Sequence, residues 1–489
     1  MLWTDRADRL FIGGDWVASQ GGVMLDHVSP FSEEVDARFA VGSTADMDRA
    51  VAAARVAFDT GPWPRMSLDE RIAVMQRLSA LLVEAQDDVA RLVSAEMGCP
   101  VTLSKGMQSI GTRMLLDSFI DLAPGYWRQE LRQSVTGNGL VLREPVGVVA
   151  AIIPWNAPML IAMIKLAPAL LMGCTAVLKP ALETPFDSQL LAELATKAGV
   201  PAGVLNVVPA DRVESEYLAM HPGVDKVSFT GSTVAGKRLA ALSGAEIRRI
   251  TLELGGKSAA LILDDADVSL AVASLKVGSL RNNGQVCSNK TRIVVTKSRR
   301  DEFVEAFGAM VAGLQVGDPL DGATDVGPLV SSRQRERVEG YIAKGRDEGA
   351  RLVTGGGRPA ALNRGWFVEP TVFADVDQNA TIAQEEIFGP VVSIITAADE
   401  AEAVAIANNS VYGLNGSIFS ADVEKAVTLA RRIRTGTVEI NGSGVGFHSP
   451  IGGFKQSGIG REAGREGFDA YVEYQSIGLP KAYADSLAG

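Results

Sequence analysis

Long apolar runs, each closed by a glycine, a proline or a polar tip, alternate along most of this chain. From Val146 to Leu178 the run VGVVAAIIPWNAPMLIAMIKLAPALLMGCTAVL carries one charge, Lys165, and by hydropathy alone it competes with a membrane span. Its punctuation decides otherwise. Pro154 and Pro158 flank a polar tip at Asn156, and Pro168 and Gly173 divide the remainder, so no uninterrupted helix of about 20 residues is favoured. The pattern predicts a strand (GVVAAII), a loop (PWNAP), a helix (MLIAMIKLAPALLMG) and a second strand (TAVLKP). Unbroken apolar strands around a helix signal a βαβ unit whose sheet is covered on both faces.

The rhythm continues with a helix at FDSQLLAELATKAG, the strand GVLNVVP, a helix around ESEYLAM, the strand KVSFT, the helix STVAGKRLAALS and the strand IRRITLEL. Such alternation implies α/β architecture with a doubly wound, mostly parallel sheet. A second alternating region runs from residue 259 to about 440, and DAYVEYQSIGLP is expected as one more strand. Upstream, Ser67 and Glu70 form a capping-box signature. Ile72, Met75, Leu78, Leu82, Val89 and Leu92 follow at helical spacing, which predicts one core-facing helix. YWRQELRQSVTGNGLVLREP reads as a hairpin centred on TGNG.

Composition narrows the setting. A chain of 489 residues exceeds what one core usually serves, so about two or three domains are expected. Hydrophobic residues at 47% and charged residues at 21% are ordinary for a globular protein. A formal charge of -11 repels phosphate backbones and disfavours nucleic acid as a partner. Three cysteines cannot build a disulfide framework, and MLWTDRADRL lacks the apolar core of a signal peptide. The expectation is a reducing, cytoplasmic setting with no membrane partner.

Two stretches compete as chemistry. GSTVAGK, residues 231 to 237, follows a predicted strand with P-loop spacing, and LILDDAD imitates a magnesium-binding strand end. A nucleotide hydrolase is therefore the rival reading. It fails at Arg238, a cation where magnesium needs a Ser or Thr hydroxyl, and no metal site is expected. The second stretch is GQVCSN, residues 284 to 289. Cys99 and Cys174 sit where a cysteine acts as a small apolar residue, but Cys287 stands among Asn282, Asn283, Gln285, Ser288 and Asn289, which suit a loop that presents a reactive group.

Seven motifs then stand in one order: PWNAP (154–158), KPALETP (179–185), FTGST (229–233), LELGGK (252–257), GQVCSN (284–289), EEIFGPV (385–391) and PIGGFKQSGIGRE (450–462). Together they resemble the aldehyde dehydrogenase superfamily over nearly the whole chain. The resemblance implies an atypical Rossmann NAD(P)-binding domain (1–122 and 146–255), a second doubly wound catalytic domain (256–457), and oligomerisation elements at 123–145 and 470–489 that make a homodimer or homotetramer. It implies oxidation of an aldehyde to the acid. Cys287 would add to the carbonyl, the Asn156 amide and the Cys287 backbone N–H would hold the oxyanion, and Glu253 would activate the water that hydrolyses the thioester. Glu462 resembles a second relay carboxylate. Alone, Asn156 reads as a turn residue, and Glu253 and Glu462 as solvated charges.

For the cofactor, the resemblance assigns Gly231 and Ser232 to the pyrophosphate, Lys179 to the adenosine ribose, Glu386 to the nicotinamide ribose with Phe388 beside it, and Trp155 to the adenine side. NAD is expected, with some use of NADP, because Leu182 stands where strictly NAD-preferring relatives carry a glutamate and Glu183 would point away if strand geometry continued. The aldehyde tunnel is expected at Ala157, Ile161, Ile164, Val286, Ser288, Phe447 and Ile451. These are nearly all apolar and include no arginine or lysine, so a hydrophobic aldehyde is favoured over a semialdehyde acid.

Overall fold

The computed structural model describes residues 5–126 and 129–488. The MLWT start and the Trp127–Arg128 entry to the hairpin lie outside the described residues. The apolar run of residues 146–178 resolves as expected into the strand Val148–Ile152, the helix Pro158–Leu171 and the strand Thr175–Lys179. Pro158 opens the helix, where its missing N–H costs nothing. Both strands are buried along their full length, as a sheet covered on both faces requires. Among the described residues, no helix is long and apolar enough to cross a membrane.

The larger sheet has eight strands, in the order Gly458–Ile459, Arg249–Glu253, Lys226–Thr230, Val148–Ile152, Thr175–Lys179, Leu205–Val207, Leu10–Ile12 and Asp15–Val17. The five central strands are parallel, and the pairs nearer the edges are antiparallel. Val148–Ile152 comes first of the five in sequence yet lies in the middle, so the chain winds one way and then the other. Its junction with Lys226–Thr230 is the switch point, where loops leave in opposite directions and open a crevice. A second sheet of seven strands runs from Ala259–Ile262 to Glu439–Ile440 and is parallel except at the Arg351–Thr354 edge. Val472–Leu479, Gly137–Pro145 and Glu130–Ser134 form a third, antiparallel sheet.

Two local expectations are corrected. The capping box is present, with Glu70 N–H donating to Ser67 Oγ at 3.2 Å and Ser67 N–H to the Glu70 carboxylate at 2.7 Å, but the helix it starts ends at Glu84. A second helix covers Gln86–Met97. Leu82 and Val89 are seven residues apart, so apolar periodicity passes through the break unmarked. The sign of a new N-terminus was Asp87 and Asp88 in its first turn. The hairpin turns at Val135 and Thr136, because Ser134 pairs with Gly137. Residues 137–139 of TGNG lie inside a strand, drawn out by pairing on its other edge with Val472–Leu479.

Candidate active site

One cavity of about 1270 Å³ opens at the switch point and extends to the second sheet. The loop after Val148–Ile152 contributes Trp155, Asn156 and Ala157, and the loop after Lys226–Thr230 contributes Gly231 and Ser232. Cys287, Glu253, Glu462, Glu386 and Phe388 face the same space, as do Ile161, Ile164, Val286, Ser288, Phe447 and Ile451. Among the sequence candidates, Lys179 alone does not line it.

The Cys287 loop follows the helix Val268–Leu280. Asn282, Asn283 and Gly284 all adopt positive φ (56°, 58° and 77°), a conformation that asparagine and glycine tolerate best. The loop is polar and also buried, so its amides are paired. Asn283 Nδ2 donates to the carbonyls of Gly98 and Pro328, both at 2.8 Å, and its Oδ1 accepts from Gly327 N–H at 2.7 Å. Asn156 is clamped into this frame: Asn282 Nδ2 reaches the Asn156 carbonyl at 2.8 Å, and Asn156 Nδ2 donates to the Gln285 carbonyl at 2.9 Å. One of two amide hydrogens is thereby held, leaving the other as a donor. Cys287 is half-buried. Burial pushes its thiol up to about 12, the Glu386 and Glu253 carboxylates push the same way, and the Arg281 guanidinium opposes them.

Across the cavity, Glu253 ends its strand in a nearly closed environment, with Oε1 lacking a hydrogen-bond partner. Burial, and then the charge of Glu462, hold its carboxyl well above the usual range against the pull of Lys165 and Arg461. A Cβ at Gly452 would come within 2.7 Å of Glu253 Oε1, so the first glycine of PIGG makes room for the carboxylate. Glu462 is buried rather than solvated, and it accepts from Lys165 Nζ at 2.7 Å in an ion pair closed to solvent. The lone charge of the apolar run thus has a partner, as burial demands.

The residues assigned to a dinucleotide suit one. Ser232 N-caps the helix Thr233–Ala245, accepting from Ala235 N–H at 3.3 Å, and the start of that helix opens onto the cavity. First-turn N–H groups without intrahelical partners attract phosphate oxygens. The Glu386 carboxylate accepts from Gly256 N–H at 3.0 Å, and a Cβ at Gly255 would lie 2.5 Å from it. A Cβ at Gly256 would strike the Cys287 carbonyl oxygen, so the double glycine is what lets carboxylate and cysteine loop approach together. GSTVAGK is no P-loop: Gly236 and Lys237 lie within the helix, and Arg238 is bound to Glu216 at 2.8 Å.

Three expectations change here. The Trp155 ring meets the Phe388 ring edge-on, with centroids 5.4 Å apart, so Trp155 stands on the Glu386 side rather than at a separate adenine end. Strand geometry stops at Lys179, and Leu182 packs against the apolar cluster of Phe39, Val41, Leu92 and Phe186. Val208 N–H bonds the Leu178 carbonyl at 3.0 Å and brings the segment leading to Asp211 alongside. Burial draws Lys179 down to about 8, and Glu183 and Asp211 oppose it, so this corner is not free of anionic charge. Finally, the wall does include arginine, for Arg281 lines the cavity, followed at its open side by Arg212, Arg333 and Arg337. Arg281 lies six residues before Cys287, just upstream of the motif window. Leu103, Gly106, Met107, Gly111 and Met114 also line the cavity, and no local motif marks them.

A profile described as the aldehyde dehydrogenase family matches residues 16–477. Geranial dehydrogenase of Castellaniella defragrans is 47% identical over 471 residues, covering 96% of this chain and 98% of that protein. The 3-succinoylsemialdehyde-pyridine dehydrogenase of a Pseudomonas species is 40% identical over 470 residues, covering 96% and 97%. An aldehyde dehydrogenase of Mycobacterium tuberculosis solved with NAD+ superposes with a TM-score of 0.96 at 47% identity, covering 97% of this chain and 99% of that one.

Proposed function

The chain belongs to the aldehyde dehydrogenase family and is an NAD-dependent aldehyde dehydrogenase; on that premise we propose that it oxidises hydrophobic aldehydes to acids through a thioester on Cys287. The observation that carries this reading is a single cavity lined by Cys287, Asn156, Glu253 and the Ser232 and Glu386 cofactor candidates.

Each residue has a task its surroundings suit. The Cys287 thiol, pushed up to about 12 by burial, passes its proton to solvent water as sulfur adds to the aldehyde carbon. The free hydrogen of the Asn156 amide and the Cys287 N–H then stabilise the oxyanion. Ser232 and Glu386 would hold NAD, which would supply the hydride acceptor needed to oxidise this adduct to the thioester. Glu253, whose pKa burial and Glu462 hold above the ordinary carboxylate range, takes a proton from the hydrolytic water. The Lys165–Glu462 pair fixes the charge behind it. Exposed Val135, Tyr474 and Ile477 on the small sheet support a homo-oligomer.

The substrate reading rests on the wall. A turn of π-helix, Lys105–Ile110, is closed by Gly111 N–H bonding the Gly106 carbonyl, a distortion that recurs at functional sites. A Cβ at the exposed Gly106 would meet nothing within 4 Å, so the cavity is open at this glycine, and Leu160, Ile161 and Ile164 line it as well. A long or branched apolar chain fills such space favourably, and a relative named for geranial supports the same class. The test is NADH formation across an aldehyde panel ranked by kcat/KM. Medium-chain, terpenoid and aromatic aldehydes should lead, and leadership by betaine aldehyde or succinic semialdehyde would overturn the reading.

A further inference from the structure

The turn of π-helix at Lys105–Ile110 has an inner face as well as an outer one. Lys105 and Gly106 are exposed, whereas Gln108 is wholly buried and stands behind the cavity wall rather than in it. Thr112 Oγ1 donates to the Gln108 carbonyl at 2.6 Å and fixes the backbone there. From that point the side chain reaches the loop that carries the oxyanion candidate, where Nε2 donates to the Asn156 carbonyl at 3.4 Å. Oε1 is closed to solvent with no hydrogen-bond partner. Turning the amide over would set this oxygen against the Asn156 carbonyl, one acceptor facing another, so the N–H side is the one that belongs there.

Such a residue is a poor choice for packing. Burying an amide costs free energy unless both of its ends are bonded, and one long bond with an orphaned oxygen returns little of that cost. A methionine of similar length would fill the space without it. What the glutamine provides is a second anchor for Asn156. Asn282 Nδ2 donates to the same carbonyl at 2.8 Å and the Gln285 carbonyl accepts from Asn156 Nδ2 at 2.9 Å, but both partners belong to the cysteine loop and would carry Asn156 with them. Gln108 holds it from a different element, and a π-turn that breaks the helical register is what aims the side chain there. We propose that Gln108 is a positioning residue for the oxyanion site: it fixes the Asn156 peptide so that the free hydrogen of the Asn156 amide stays aimed at the reacting carbonyl. The proposal rests on the oxyanion role given to Asn156 above. One turn then serves both ends of the cavity, with Gly106 on its open face acting on the length of the aldehyde and Gln108 on its inner face acting on the rate at which any aldehyde reacts.

Gln108→Met, Asn156→Ala and the double variant separate these roles, each assayed for the first-turnover rate of NADH formation with propanal and with decanal. Gln108→Met should slow both aldehydes alike, by about three- to tenfold, the scale of one neutral hydrogen bond. It should leave NAD binding unchanged, followed by quenching of protein fluorescence, and unfold at a urea midpoint no lower than that of wild type. In the double variant the rate should equal that of Asn156→Ala alone, because a donor already removed can no longer be misplaced. Four results would overturn the proposal. A loss for decanal alone makes Gln108 part of the wall, and a further three- to tenfold fall in the double variant shows that it acts apart from Asn156. A lowered urea midpoint reduces it to packing, and a rate within about twofold of wild type leaves it no role. Asn156→Ala as fast as wild type would instead strike the oxyanion reading itself, and the Gln108 proposal with it.

Discussion

The reactive end of the cavity and its far wall are built on opposite principles. Around Cys287 most polar groups answer to a named partner, Asn156 to Asn282 and Gln285, Glu386 to Gly256, Glu462 to Lys165, while Glu253 Oε1 is buried without one. The far wall, from Leu103 to Met114 and across to Leu160 and Ile161, has no such partners and offers only shape. On the proposed function, one end decides whether reaction occurs and the other which aldehyde fits. Substitutions should therefore abolish chemistry at the first and redistribute selectivity at the second.

The largest expected effect is at Cys287. Cys287→Ala should lower NADH formation by on the order of 10⁴-fold or more, as removal of a nucleophile that works within a unit does, while NAD still quenches protein fluorescence as in wild type. Turnover within tenfold of wild type would place the nucleophile elsewhere. Glu253→Gln comes next, with steady-state turnover lower by roughly 10²- to 10⁴-fold but a first-turnover burst of NADH preserved. The same residue sets a pH dependence. Because burial and Glu462 raise its pKa, the base form is scarce at low pH and grows as pH rises, so wild-type steady-state turnover should still be climbing with pH above the range where an ordinary carboxylate has finished titrating. That limb should vanish in Glu253→Gln, and a limb that survives belongs to another group.

The buried pair behind Glu253 tests stability rather than rate. Lys165→Met leaves Glu462 charged and unpaired, a loss of about 3–5 kcal/mol that should lower the urea midpoint. Adding Glu462→Gln should return much of it. A single variant as stable as wild type would mean that solvent reaches the pair. The smallest effect belongs to the far wall. Gly106→Leu should cut kcat/KM for a ten-carbon aldehyde by about tenfold and leave propanal within twofold, because only the longer chain needs the hollow. An equal loss for both would mean that the π-turn itself, and not its open face, is what matters.

The same division explains what could be read in the sequence. The βαβ core was legible because apolar runs and their punctuation are local, and the cavity collects Asn156, Glu253, Cys287, Glu386 and Glu462 from motifs whose residue types the chemistry demands. The wall from Leu103 to Met114 was not legible, since a leucine, a glycine or a methionine there signals nothing until the fold brings it opposite Leu160. Arg281 escaped for a related reason: it belongs to the cysteine loop but precedes its motif. Leu182 misled because a position chosen by counting from Lys179 assumed a strand that the chain does not continue. Trp155 misled because its meeting with Phe388 joins segments more than 200 residues apart.

The central claim is that Cys287 carries the acyl group, and trapping tests it most directly. Glu253→Gln is mixed with NAD and decanal, quenched within the burst and digested, and the peptide containing Cys287 is weighed by mass spectrometry. The account predicts a decanoyl thioester on Cys287, with Cys99 and Cys174 unmodified, in an amount equal to the NADH of the burst. A full NADH burst with Cys287 unmodified would contradict it.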